Sequence, residues 1–68
     1  MLTPLRRERI LRQMSLYDLR ARTGIAVSKL SLIEREIEKA SEDEKHRLAR
    51  ALNVKLGDLF PTLVEAQR

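Results

Sequence analysis

Apolar residues recur along this chain at spacings of three and four, with charged residues between them, the period of amphipathic helices rather than of strands. Thr3-Pro4 offers a hydroxyl cap followed by proline at the first helical position, which predicts a helix from there to about Met14. Ser15-Leu16-Tyr17-Asp18 has the form of a capping box and opens a second helix, which runs to Thr23. Gly24 supplies the left-handed position that ends it. A third helix is expected over about Val27 to Arg35, with Leu30, Ile33 and Ile37 turned inward and Ser28, Lys29, Leu32 and Arg35 on the other side. Ser41 caps a fourth, whose first turn carries Glu42, Asp43 and Glu44 against the positive end of the helix dipole. Leu48, Ala49 and Leu52 form its inner face and Asn53 its stop. A last turn, Leu56 to Phe60, closes before Pro61.

The pattern therefore predicts an all-α fold of five helical segments. Residues 1–61 read as one domain and 62–68 as a tail with the potential to form a dimer. Composition narrows the function classes. A chain of 68 residues allows one small domain. Its core must be aliphatic, because it has one tyrosine and one phenylalanine against twelve leucines, helped by Ile10, Ile25, Ile33, Ile37, Val27, Val54 and Val64. It contains no cysteine and one histidine, His46, which excludes a disulfide framework and a thiolate metal site. No apolar run approaches the roughly 20 residues that span a bilayer, and the N-terminus lacks an apolar signal segment, so a cytoplasmic protein is expected. Neither a glycine-rich phosphate loop nor a nucleophile–base pair is visible, and the reading is of a protein without enzymatic activity, cofactor or metal.

The net charge is +4, unevenly placed. Residues 1–35 carry eight basic and three acidic side chains, a balance of +5, whereas residues 36–68 carry six and seven, a balance of −1. A basic half on a near-neutral half suits a one-sided polyanion footprint.

Ser15 to Glu34 has the outline of a helix-turn-helix, with Leu19, Ile25, Leu30 and Ile33 at the locking apolar positions and Gly24 in the turn. The wider order, from Leu5, Arg9 and Met14-Ser15 through Ser31-Leu32-Ile33-Glu34-Arg35 to the ending Ala51-Leu52-Asn53-Val54…Leu56…Leu59-Phe60, resembles the lambda Cro/cI-type (XRE-type) helix-turn-helix family over residues 5–60. The resemblance implies a five-helix, lambda-repressor-like domain (helix-turn-helix unit 15–35) that binds double-stranded DNA as a homodimer. It further implies that Glu34 pairs with Arg9 to clamp the third helix, and that residues early on that helix and one turn later read bases.

By position the base-reading residues are Val27, Ser28 and Leu32. Aliphatic side chains make no bidentate bonds to purines but do pack on thymine methyls. Val27 also suits packing at the helix start, and Leu32 suits a protein contact as well as a thymine. Phosphate candidates are the Leu16 backbone, Tyr17, Arg20, Arg22, Lys29, Arg35 and Lys39, while Arg6, Arg7 and Arg12 read as solvated surface. Four positions depart from the family pattern: Leu16 replaces the usual glutamine, Arg20 a small residue, Glu36 a glycine and Ala40 a proline. Leu56, Leu59, Phe60, Leu63 and Val64 are the candidate dimer contacts.

Two functions follow. The first is a transcriptional regulator, a repressor, whose dimer sets the third helix of each subunit into successive major grooves. The second is a protein-interaction module of the same fold (an antitoxin, a polymerase-binding or a packaging component) that docks a protein partner through Leu16, Val27 and Leu32.

Overall fold

In the computed structural model, which describes residues 2–61, hydroxyl side chains open three of the four longer helices. Thr3 caps α1 (Pro4–Leu11) by accepting from the Arg6 N–H. Ser15 and Asp18 form a reciprocal capping box on α2 (Leu16–Thr23), and Ser41 and Glu44 form another on α4 (Glu42–Leu52). Between them, α3 (Val27–Glu34) begins at Ala26 with no side-chain cap. A single turn, α5 (Leu56–Leu59), follows. These five helices, with no strand among the described residues, make the fold all-α. Gly24 ends α2 at φ 78° and Asn53 ends α4 at φ 57°, both left-handed positions suited to those residue types.

Two boundaries differ from the pattern. α1 stops at Leu11 rather than near Met14, because the Arg12 and Gln13 N–H groups turn back to the Arg9 and Ile10 carbonyls and Gln13 adopts φ 54°. Past Glu34, Arg35 is the C-cap and Glu36 takes φ 61°, so the helical period does not carry on to Ile37. That isoleucine is 65% exposed instead of facing inward. Ile10, at 44%, likewise lies outside the core.

Leu19, Leu30, Leu48 and Leu52 are fully enclosed, one or two from each of α2, α3 and α4, and they form the centre of the core. Leu5, Ile25, Ile33, Ala40, Ala49 and Leu59 surround them. α2 packs against α3 on one flank and α4 on the other, while α1 leans on α3 and α5. Leu59 is thus committed to its own chain's core, so the dimer contact expected of it is corrected: a side chain sealed inside one subunit has no surface to offer another. Leu56 and Phe60 are half-buried at the edge, and Leu63 and Val64 lie outside the described residues.

Candidate nucleic-acid interface

The α2–α3 turn is fixed by backbone groups that a local hydroxyl and one distant arginine satisfy. Thr23 is buried; its hydroxyl donates to the Leu19 carbonyl (2.8 Å) and accepts from the Ile25 N–H (3.2 Å). Gly24 donates its N–H to the Arg20 carbonyl at 2.8 Å, closing the last turn of α2. From α4, the Arg47 guanidinium donates through Nη1 to the Thr23 carbonyl at 3.0 Å. The chain therefore leaves α2 in a defined direction, and α3 inherits its orientation from it.

α3 has two clean faces. Leu30, Ile33 and Glu34 are buried. Ser28, Leu32 and Arg35, at successive spacings of four and three, share the opposite side, where Ser28 and Arg35 are exposed and Leu32 half-buried. Val27 is half-buried in the first turn. With no side chain on the first N–H groups of α3, these donors and the positive end of its dipole are available to an incoming acceptor.

Glu34 is 4% exposed, and a carboxylate at that depth needs compensation. Arg9 supplies it in a two-pronged pair: Nε donates to Oε2, and Nη2 donates to Oε1 at 3.2 Å. The third prong of Arg9, Nη1, donates to the Met14 carbonyl at 2.8 Å, and the Thr3 hydroxyl donates to the Glu34 carbonyl at 2.6 Å. One guanidinium thereby ties the end of α1, the loop after it and the end of α3 together.

Lys29 is not a free cation. Its ammonium lies 2.7 Å from a Glu44 carboxylate oxygen and 3.8 Å from one of Glu38. The hydrogen bond with Glu44 raises the Lys29 pKa above that of an ordinary lysine. In return, Glu44 sits below the usual carboxylate range, held there first by Lys29 and then by the Ser41 N–H. Glu44 thus caps α4 and anchors the first turn of α3 at once.

Tyr17, Arg20, Arg35 and Lys39 are exposed. Leu16 packs against the core at the first position of α2, where the Ser15 hydroxyl takes the Asp18 N–H and leaves that of Leu16 uncapped. Leu16, Val27 and Leu32 are all half-buried. Arg20 extends into solvent, so the bulk at that position does not obstruct the helix crossing. Arg22 is two residues on, about 200° around the helix. It is turned to the α4 flank, where it lines a groove with Arg47 and Arg50.

A family model described as a Cro/C1-type HTH DNA-binding domain matches residues 4–62. The chain belongs to that family. Its members' defining activity, DNA binding, makes this a Cro/C1-type DNA-binding domain. No curated protein and no solved structure gives a match. Among the described residues no helix is long and apolar enough to cross a membrane. The carboxylates Glu42, Asp43 and Glu44 serve the start of α4 and its neighbours, and no group of three metal-binding side chains is found among the described residues.

Two of these features carry no mark in the local spacing of the sequence. Arg47 and Thr23 as keepers of the α2–α3 turn, and the Lys29–Glu44 seam, join residues far apart in the sequence. The Thr3–Thr23 class of hydroxyls was legible only as caps or helix ends, since their second bonds reach across or around a turn.

Proposed function

We propose that this Cro/C1-type domain is a sequence-specific double-stranded-DNA-binding transcriptional regulator, a repressor, acting in the cytoplasm as a homodimer. Each subunit sets α3 into a major groove, and the two grooves lie about 34 Å apart on one side of the duplex. The observation that carries this reading is the outward face of Ser28, Leu32 and Arg35, directly opposite the buried Leu30, Ile33 and Glu34. Ser28 donates to or accepts from a base edge, and Val27 and Leu32 pack on thymine methyls. Arg35, Arg20, Lys39 and Tyr17 hold phosphates together with the Leu16 N–H and the uncapped N–H groups of α3. Lys29, already held by two carboxylates, contributes less than its charge suggests. Leu56 and Phe60, continued by Leu63 and Val64, supply the dimer contact.

Selection of bound duplexes from a random library at two salt concentrations tests the proposal. The expected result is an enriched two-fold symmetric site. Arg35→Ala should weaken binding about evenly across sequences and lower the slope of log affinity against log salt by about one. Substituting Ser28 should change which bases are preferred. Absence of any duplex retention at low salt would end the reading.

A further inference from the structure

We propose that the groove between α2 and α4 is a second binding site, selective for a carboxylate presented by an acidic protein segment. Arg22 from the last turn of α2 and Arg47 and Arg50 from α4 line it, with Ala51 as its small floor, around about 430 Å³ of open space. No residue of α3 takes part in it, and it occupies the flank of α2 away from Arg20, so it stands apart from the proposed DNA face and does not depend on it. Arg22 and Arg50 have no ion-pair partner among the described residues.

Arg47 is oriented in advance. Nε and Nη2 donate to Asp43, and Nη1 donates to the Thr23 carbonyl. One N–H on each of its two terminal nitrogens remains for a ligand. A planar guanidinium fixed in this way, beside two unpaired ones, matches the two-oxygen geometry of a carboxylate. Asp43 neutralises Arg47, so the groove keeps the positive charge of two free guanidiniums, which one or two carboxylates would balance. It lies off the proposed DNA face, and a short acidic segment reaches it without competing with a duplex there.

The test follows the arginine side-chain N–H signals by NMR while the intact protein is titrated with a hexaglutamate peptide, and separately with its selected DNA duplex. Hexaglutamate should shift the signals of Arg22, Arg47 and Arg50 ahead of those of Arg20 and Arg35, and should still do so with the duplex bound. The double variant Arg22→Gln/Arg50→Gln, which spares the arginine that braces the turn, should fold normally by circular dichroism and bind the peptide at least fivefold more weakly. The proposal is overturned if the peptide shifts all arginines alike, if it shifts none, or if the duplex moves Arg22 and Arg50 as strongly as Arg35. If no duplex is ever selected while the peptide response persists, the DNA reading fails and this one stands.

Discussion

Glu36 occupies a left-handed backbone position, φ 61°, where the family pattern carries glycine. For an L-residue that conformation costs roughly 1–2 kcal/mol, and glycine gives part of the gain back through its freer unfolded chain. Glu36→Gly should therefore stabilise the domain by about 0.5–1 kcal/mol, seen as a rise in Tm of a few degrees by circular dichroism. The buried pair behaves in the opposite sense. Arg9→Ala leaves the Glu34 carboxylate enclosed without its partner and the Met14 carbonyl without its donor, a loss of about 3 kcal/mol that urea unfolding would record. Glu34→Gln should cost less than Glu34→Ala, because an amide retains a hydrogen-bond acceptor for Arg9. Of these two features, the glutamate at a glycine position was visible in the sequence as a departure. The Arg9–Glu34 pair was visible through resemblance, whereas nothing in the local spacing says that Thr3 closes over the same glutamate's carbonyl.

Among the elements, α2 and α4 begin where a hydroxyl and a carboxylate three residues on tell them to, since a capping box needs no tertiary partner. Ser41→Ala should cost about 1 kcal/mol, measured by chemical denaturation. The same caps make the fold acid-sensitive. Asp18 and Glu44 both have folded pKa values below their ordinary ones, Asp18 chiefly through the Ser15 N–H and Glu44 chiefly through Lys29. Groups shifted in this direction stabilise the fold fully above the unfolded carboxylate pKa and lose that contribution as the pH falls through the folded value. Thermal stability should thus be level near neutrality and decline below about pH 4, and Glu44→Gln should flatten the decline. The exposed Ile37 is the counterexample at this scale: its spacing from Leu30 and Ile33 continues the apolar period, yet the backbone reverses at Glu36 before reaching it.

On the whole-molecule scale, the exposed Arg20 and Arg35 and the outward side of α3 carry the proposed DNA footprint on a body 36 × 22 × 22 Å. Phe60→Glu, placing a charge at the half-buried edge beside α5, should shift the proposed dimer toward monomer in sedimentation equilibrium and weaken duplex binding in parallel. Sequence alone determined the starts and stops of most helices, the aliphatic core and which face of α3 turns outward, because those depend on contacts within about four residues and on helical period. Tertiary structure decided what the charged residues do. Arg47 reaches a carbonyl 24 positions away, Lys29 is spent on Glu44 across the α3–α4 seam, and Arg22 lies on the opposite flank from Arg20. Such partnerships are set by how the helices cross, and a long flexible side chain carries no periodic mark of which neighbour it will meet.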